Sequence, residues 1–480
     1  MYKLGMTNST IIWFRQDLRL EDNPALQAAL QKGASILPVY IYSPEEEGDW
    51  PPGAASRWWL HHSLQSLADE LLKNDLHLII RAGNTQKILE ELCQSTGSTS
   101  IFWNRRYEPA VIKRDALLKS HFHELGIETK SFNSSLLFEP WTNLNKEKKP
   151  FQVFTPFWKA CQKLPDPPLP LAWKPKKKLV SVRVDSMHID ELNLLPHIHW
   201  DKGIQATWKP GSLNAKKALM DFIKNSIYEY KDLRDRPDLP GVSRLSPYLH
   251  FGEISPRTIW HTIKEQCDLS KEGVEAYLRQ LGWREFAYHL LYHFPHTSKE
   301  PLRDEFNQFP WDNSPDHLKA WQKGQTGYPF VDAGIRQMWE IGWMHNRLRL
   351  IVGSFLVKDL LIAWQEGFAW FWDTLVDADL ANNTLGWQWV AGCGADAAPY
   401  FRIFNPITQG EKFDPNGDFV RKWVPELAAL PNEWIHKPWE APEKTLREAG
   451  IELGVTYPKP IVDHAKAREK ALAAFQEIKN

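Results

Sequence analysis

Residues 10–42 read TIIWFRQDLRLEDNPALQAALQKGASILPVYIY, and this stretch decides the fold class. It contains two short apolar runs, Ile11–Phe14 and Ile36–Tyr42, separated by a segment with a helical pattern. Runs rich in β-branched and aromatic residues are typical of strands that are buried on both faces of a sheet. The stretch therefore predicts the first strand, helix and strand of an α/β domain.

The same alternation continues up to about residue 132. Two more apolar runs follow, at Leu76–Arg81 and Ser100–Trp103, and a helix is predicted at Ser56–Leu72, where leucines recur at helical spacing. Strand and helix alternating in this way predict a doubly wound parallel sheet within residues 1–132. No GxGxxG motif follows the first strand, which argues against a nicotinamide-dinucleotide site and an ordinary nucleotide oxidoreductase.

Beyond residue 132 the pattern changes twice. Residues 133–205 are rich in proline and hold a lysine-rich run at 174–178, so we predict a long irregular linker with a solvated basic surface. Residues 206–480 show helical periodicity and predict an all-α domain. Two Ser-Pro pairs, Ser246-Pro247 and Ser255-Pro256, predict helix starts with serine as N-cap and proline as the first helical residue.

Composition narrows the class of protein. There are 58 Lys and Arg against 59 Asp and Glu, so the net charge of −1 excludes a polycation, and any nucleic-acid binding must use a local patch. The chain has 24 Trp, 23 Phe and 13 Tyr. This many tryptophans points to aromatic platforms, an electron relay or a large flat ligand.

Cysteine usage and the first residues indicate the compartment. The four cysteines form no CxxC pair, so neither a zinc site nor a disulfide framework is predicted, and no metal is expected. The opening MYKLGMTNST lacks a signal peptide, and no apolar run is long enough for a membrane span. We expect a soluble cytoplasmic protein that does not associate with a membrane.

Four stretches carry polar and aromatic residues at spacings that suggest chemistry. They are YLRQLGWREF at 277–286, WMHNRLRL at 343–350, DADLANNTLGWQW at 377–389 and VSRLSP at 242–247. The arginines and histidine of the second stretch should meet an anionic ligand or carboxylates. The carboxylates of the third fit ribose or guanidinium partners better than calcium, and the fourth is typical of an anion site at a helix start. Each stretch alone also fits a structural polar cluster or charged surface.

Together these stretches resemble the DNA photolyase/cryptochrome flavoprotein family over essentially the whole chain. The resemblance is carried by WFRQDLRLEDNPAL, SRLSPYLHFGEIS, GWREF, TGYPFVDAGIRQMW, GWMHNRLRL, SFLVKDLL and DAAPYFRIFNP. It implies FAD held in the helical domain and light-driven electron transfer from reduced FAD to a flipped-out lesion in DNA. The residues that match the family's FAD-binding positions are Tyr230, Ser243, Leu245, Ser246, Tyr277, Arg284, Asn346, Arg349, Asp377, Asp379 and Asn383.

The resemblance also implies how a lesion is bound. Trp283 and Trp389 match the aromatic walls on which the lesion stacks, and Asn346 matches a lesion contact. Other matching positions face the lesion or the DNA backbone: Arg234, Gln280, Arg347, Leu350 and Arg402. Arginine contacts to phosphate position a duplex without reading its sequence.

Three positions indicate the subclass of enzyme. Family members that repair the 6-4 photoproduct carry two histidines where this chain has Asn346 and Leu350, so the chain resembles the cyclobutane pyrimidine dimer enzymes. Asn383, beside the flavin N5, matches the photolyases, whereas plant-type cryptochromes carry aspartate there. Gln280 departs from the pattern, because the dimer-repairing enzymes usually have glutamate at this position.

Further residues match the family's electron relay. Trp387, Trp364 and Trp311 correspond to the three-tryptophan chain that carries electrons from the surface to the photoexcited flavin. Gln280 and Asn383 complete the residues to which the resemblance assigns a part in the reaction.

An antenna chromophore, of the methenyltetrahydrofolate or deazaflavin type, is implied for the N-terminal domain, and its identity is left open. The loop Asn104–Pro109 occupies the matching position, Ala110 and Val111 replace an acidic pair of some folate binders, and Lys299 matches a folate contact.

Two interpretations remain for the whole chain. The first is a carbon–carbon lyase that repairs cyclobutane pyrimidine dimers, works as a monomer on UV-damaged DNA and needs no obligate protein partner. The alternative is a blue-light receptor on the same scaffold with little or no repair. Receptors in this family commonly add a long C-terminal tail, and the segment after FRIFNP is short and patterned.

Overall fold

The computed structural model describes residues 9–33, 35–174, 184–400 and 402–479. Lysines 176–178 of the predicted solvated run lie outside the described residues. Within these ranges five strands form one parallel sheet: β1 (Ser9–Phe14), β2 (Ser35–Tyr42), β3 (Ile79–Ala82), β4 (Ser98–Asn104) and β5 (Glu128–Phe132). Their spatial order is β3-β2-β1-β4-β5, and every residue of β1 is buried. The predicted doubly wound parallel sheet is confirmed.

Helices cover both faces of this sheet: α1 (Pro24–Lys32), α2 (Ala54–Leu72), α3 (Thr85–Thr96) and α4 (Pro109–Glu124). Ile11 and Trp13 pack on one face with Leu89 of α3, whereas Ile12 faces the core that contains Leu64 of α2. That second core continues into the helical domain. The predicted strand at Leu76–Arg81 begins later, because pairing with β2 starts at Ile79.

The predicted irregular linker, residues 133–205, contains α5 (Phe154–Cys161), and α6 (Lys202–Thr207) crosses its predicted end. Helix α5 was not predicted. It buries Phe154, Phe157 and Trp158 against Phe286 of the helical domain. Its buried residues recur at helical spacing, but eight residues in a proline-rich segment are too few for that period to stand out from sequence. The domain boundaries at 132 and 205 stay a prediction.

The remainder is helical, as predicted. Its helices are α7 (Ser212–Asn225), α8 (Tyr230–Leu233), α9 (Ser246–His250), α10 (Pro256–Gln266), α11 (Glu272–His293), α12 (Pro315–Gln322), α13 (Pro329–Ile341), α14 (Asn346–Ser354), α15 (Trp364–Thr374), α16 (Leu380–Ala391), α17 (Pro406–Phe413), α18 (Asp418–Trp423), α19 (Glu443–Glu448) and α20 (His464–Glu477). A π-helical turn at Phe355–Asp359 follows α14. In the described ranges no helix combines the length and apolar character that crossing a membrane requires.

The two Ser-Pro signals have different outcomes. Ser255 caps α10, because its hydroxyl accepts a hydrogen bond from the Thr258 amide at 2.9 Å. The predicted cap at Ser246 is wrong. Leu245 occupies the N-cap position, Ser246 is the first helical residue, and its hydroxyl accepts a hydrogen bond from Trp343 Nε1 at 3.2 Å.

Candidate functional site

A cavity of about 1300 Å³, its open mouth included, lies between α11, α14, α16 and the segment that joins α15 to α16. It gathers residues from more than 150 positions of sequence. The predicted site residues that line it are Arg234, Gln280, Trp283, Arg284, Asn346, Arg349, Leu350, Asp377, Asp379, Asn383, Trp387 and Trp389.

Asp379 is the N-cap of α16 and one anionic group of the cavity wall. Its Oδ1 accepts hydrogen bonds from the amide of Asn382 at 2.8 Å and from its Nδ2 at 2.7 Å. Its Oδ2 accepts one from the Tyr288 hydroxyl, and Nδ1 of His250 lies 3.7 Å away. Burial opposes ionisation, but the His250 ring, the charge of Arg284 and the Tyr288 hydroxyl together hold the pKa of Asp379 well below its ordinary value. Asp379 is therefore a carboxylate.

Arg349 and Asp377 form an ion pair in the same wall. Nη2 of Arg349 donates to both carboxylate oxygens of Asp377, at 2.9 and 2.8 Å, and Nε donates to the Met344 carbonyl at 2.9 Å. Nearby, Nη2 of Arg347 lies 2.7 Å from the carboxylate of Asp235. The carboxylate partners expected for these arginines are confirmed.

Helix α11 presents Gln280, Trp283 and Arg284 to the cavity. Arg284 is anchored, because its Nη1 donates to the Ser135 carbonyl at 2.6 Å. Trp283 is held from behind by the parallel ring of Phe154, with centroids 3.7 Å apart. The half-buried amide of Gln280 has no hydrogen-bond partner among the described residues, so both its donor and its acceptor remain available to a ligand.

Two asparagines complete the polar lining. Asn346 is exposed and is the first residue of α14, directly after the N-cap residue His345. Asn383 donates from Nδ2 to the Phe368 carbonyl at 3.2 Å. That bond uses one of the two amide N–H groups, so the second N–H and the carbonyl oxygen of Asn383 remain available to a ligand.

The three tryptophans of the predicted relay differ in position. Trp387 lines the cavity, is 3% exposed, and packs edge-on against Phe371 and Trp321 with centroids 4.9 and 6.3 Å away. Trp364 is buried beside Phe368, and Trp311 is half-buried beside Phe309. A relay along these three residues stays a prediction.

Several predicted FAD-binding residues lie outside the cavity wall, around the loop before α9. The hydroxyl of Tyr277 donates to Ser243 Oγ at 3.1 Å, and Tyr230 packs edge-on against Tyr277. Arg244, which was not predicted, has φ +53° and lies between the rings of Trp208 and Trp343. Leu245 is buried and serves as the N-cap of α9 instead of facing the cavity.

Of the residues predicted to face the DNA backbone, Arg234 reaches the cavity lining, while Arg347 and Arg402 do not. Arg347 is turned toward Asp235 and Phe413. Arg402 is exposed, and its carbonyl accepts a hydrogen bond from the buried Lys358 at 3.0 Å.

The residues present fit an anionic flavin dinucleotide. Nε and Nη2 of Arg244, in the loop before α9, are buried without a hydrogen-bond partner in the described part of the chain, and such a guanidinium suits an anionic group. The cavity adds carboxylates, which accept from hydroxyl or imide groups, and arginines, which balance phosphate or flavin charge. The buried Trp387 ring supplies an aromatic wall.

Sequence reasoning missed four residues that hold the site residues in place: Phe154, Asp235, His250 and Tyr288. Tyr288 lies four residues after Arg284 on α11, but that spacing does not predict its hydrogen bond to Asp379.

Comparisons with known proteins agree with the motifs. A family model described as the FAD binding domain of DNA photolyase matches residues 277–477, and one described as DNA photolyase matches residues 10–175. A deoxyribodipyrimidine photo-lyase of Agrobacterium fabrum is 47% identical over 98% of each chain. Cryptochrome-1 of Arabidopsis thaliana is 42% identical over 99% of this chain and 71% of its own. The crystal structure of a bacterial class III photolyase from Agrobacterium tumefaciens shares 46% identity over 98% of each chain, with a TM-score of 0.94. The chain belongs to the DNA photolyase/cryptochrome family.

Proposed function

We propose that the protein is a deoxyribodipyrimidine photolyase, which repairs cyclobutane pyrimidine dimers in DNA with light and FAD. The observation that carries this proposal is the single cavity that brings together Trp283, Trp389, Gln280 and Asn346. Two aromatic rings and two polar side chains in one cavity suit two linked bases of one strand, flat and polar, that are flipped out of the duplex. The family relationship to the Agrobacterium photo-lyase points the same way.

Within this proposal each part of the chain has a defined task. When bound, reduced FAD supplies the electron that splits the dimer under light. Trp283 and Trp389 stack on the lesion, the Gln280 amide donates to its carbonyl oxygens, and Asn346 contacts its edge. Arg234 at the mouth, with Arg347 and Arg402, binds phosphates. The protein acts on UV-damaged DNA as a monomer in the cytoplasm.

The test uses the purified protein, its absorbance spectrum and an oligonucleotide with one thymine dimer. We expect about one non-covalent FAD per chain and, with a reductant, loss of the dimer in light and none in the dark. A Trp283→Ala variant should keep FAD and lose most of its lesion affinity, because stacking contributes about 1–3 kcal/mol per base. Protein that never binds flavin, or flavoprotein that leaves the dimer intact in light, would overturn the proposal.

The alternative is a blue-light receptor with little or no repair. Its support is the 42% identity to Arabidopsis cryptochrome-1, together with glutamine at position 280. The same experiment separates the two functions. Photoreduction of bound FAD without any dimer splitting, even when FAD is chemically reduced beforehand, favours the receptor.

For a second chromophore we propose the cleft at the carboxyl ends of β1 and β2, about 730 Å³ with its open mouth included. This is the edge at which open parallel sheets bind ligands. Buried Trp13 Nε1, Arg15 Nε and Trp50 Nε1 line it without partners in the described residues. Ala378 borders both this cleft and the FAD cavity, so two chromophores would lie close together.

The loop that the sequence suggested for the antenna contributes only in part. The side-chain amide of Asn104 donates hydrogen bonds to Asp17 and Asn23 inside the domain, so it has a structural role there. Arg106 does line the cleft, and Lys299 pairs with Asp49, next to Trp50. A Trp50→Leu variant should lose the second chromophore and keep FAD, as read from the absorbance of extracted cofactors.

A further inference from the structure

Two arginines proposed to hold DNA phosphates share one carboxylate at the mouth of the FAD cavity. Asp235 follows α8, and its Oδ2 lies 2.7 Å from Nη2 of Arg347 on α14. Its Oδ1 lies 3.8 Å from Nε of Arg234, which lines the cavity. Asp235 therefore forms ion pairs with an arginine at the end of α8 and with another at the start of α14.

Each arginine is also held by an aromatic ring. The guanidinium of Arg347 lies 4.6 Å from the centroid of Phe413, and that of Arg234 lies 5.7 Å from the centroid of Tyr230. The side chains of Arg234, Asp235 and Arg347 are 28%, 30% and 19% exposed. The three charges are thus partly open to solvent, where a DNA backbone can reach them.

We propose that Asp235 competes with DNA phosphates for Arg234 and Arg347 and thereby limits the affinity for all DNA, the repaired product included. The inference rests on the proposed function. A phosphate that approaches these arginines competes with the carboxylate that is ion-paired with both, and it is repelled by the carboxylate's charge. Lesion-containing DNA gains compensating contacts inside the cavity, whereas undamaged DNA gains none. Rapid release of repaired DNA is the consequence.

The test is Asp235→Asn, which keeps size and hydrogen bonding but removes the charge. We expect it to bind both undamaged and dimer-containing duplex about threefold to tenfold more tightly at low salt, with the difference fading as salt screens it. The slope of log K against log salt should steepen by about 0.9, since the site becomes more positive by one charge. Repeated turnover in excess DNA should slow, because the repaired product leaves more slowly.

Asp238→Asn is the matched control. Asp238 pairs with Arg236 in the same loop, but Arg236 does not line the cavity, so this variant should bind DNA like the wild type. Asp235→Glu keeps the charge and should also bind like the wild type. Flavin content and melting temperature establish that each variant is folded.

The outcomes separate the two claims. Weaker or unchanged DNA binding by Asp235→Asn would overturn this inference, since the carboxylate would then position the arginines or be irrelevant to them. A wild type that binds dimer-containing and undamaged duplex equally and repairs nothing would instead overturn the proposed function.

Discussion

The ring of Phe154, on α5, lies parallel to the ring of Trp283, on α11, with centroids 3.7 Å apart and planes at 6°. The Arg279 guanidinium lies 5.2 Å from the centroid of Phe154. Phe154 is 1% exposed and does not line the cavity. A buried ring from the linker thus fixes the plane of a residue that we propose stacks on the lesion.

Replacing Phe154 with Leu should weaken lesion binding without removing FAD. An aromatic pair contributes about 0.5–1.5 kcal/mol beyond area burial, so we expect affinity for a dimer-containing oligonucleotide to fall about threefold to tenfold. Phe154→Tyr should restore most of it. Phe157→Leu is the control, because Phe157 is buried on the same helix but packs on Phe286 and His289. Equal losses in both variants would indicate general loosening of α5.

The Arg349–Asp377 pair leads to a prediction about cofactor affinity. Asp377→Asn keeps the shape of the side chain but removes the negative charge that holds Arg349. Hydrogen bonds to charged groups contribute about 1.5–3 kcal/mol, so the position of Arg349 should be less well fixed. We expect FAD to bind at least about tenfold more weakly, measured as flavin per protein after dialysis. Asp373→Asn is the control and should keep full flavin content. Asp373 is exposed, and its carboxylate accepts a hydrogen bond from the Ala54 amide.

Trp387→Phe should keep FAD bound and abolish photoreduction of oxidised FAD. Trp387 Nε1 has no hydrogen-bond partner in the described ranges, so phenylalanine leaves no polar group stranded and still fills most of the volume. Repair from chemically reduced protein should survive. Trp321→Phe is the matched control, because Trp321 is buried, touches Trp387 and lies outside the proposed relay. Transient absorption under blue light distinguishes the variants, and unchanged photoreduction in Trp387→Phe would contradict the relay.

The fold was largely predictable from the sequence, because buried strands and helices with a stripe of leucines show their pattern within a short stretch of residues. The features that were not predicted depend on tertiary contacts. Helix α5 (Phe154–Cys161) is only eight residues long, too short for its helical period to stand out in a proline-rich segment. The two Ser-Pro pairs had different outcomes, and the Ser246 hydroxyl accepts a hydrogen bond from Trp343 instead of capping a helix. The cavity residues could be placed through the family resemblance. The residues that hold the cavity residues in place could not be predicted. The Tyr288–Asp379 hydrogen bond, for example, joins residues 91 positions apart, so no local spacing indicates it.

Glu253 predicts a pH dependence of stability. It is 1% exposed and accepts hydrogen bonds from Trp59, Ser63 and Gly211, yet burial raises its pKa to about 8. An acid with a raised pKa in the folded state stabilises the fold below its unfolded pKa of about 4.3 and loses that contribution as pH rises toward 8. The free energy of unfolding should fall by up to ~1.4 kcal/mol per pH unit in this window.

Glu253→Gln should be less stable at pH 5 and should show a shallower decline from pH 5 to 8. Its amide cannot accept from all three donors, but it also does not titrate. Urea unfolding at several pH values measures both effects. Glu21→Gln, at an exposed side chain paired with Lys216, should leave the slope unchanged. A slope that persists in full in Glu253→Gln would show that other groups carry it.

The side chain at position 280 should determine how efficiently the protein repairs the dimer. The family's usual glutamate, when protonated, donates to the dimer's carbonyl oxygens, and a preorganised donor aimed at developing negative charge contributes several kcal/mol in a dry site. Gln280 keeps the length and a donor, and in the described residues its amide has no other partner. It cannot supply a proton, but it also avoids burying an unneutralised carboxylate.

Gln280→Glu should therefore raise repair per absorbed photon about severalfold at low to neutral pH, with little change in lesion affinity. The gain should shrink as pH rises, because an ionised glutamate accepts instead of donating and repels the incoming electron. Gln280→Met, whose thioether has no hydrogen-bond donor, should repair less well than the wild type. Light-dose curves on a dimer-containing oligonucleotide, run side by side with the protein reduced beforehand, measure all three. A Glu variant clearly worse than the wild type at pH 6 would contradict this account of position 280, whereas repair by the Glu variant alone would favour the receptor function for the natural chain.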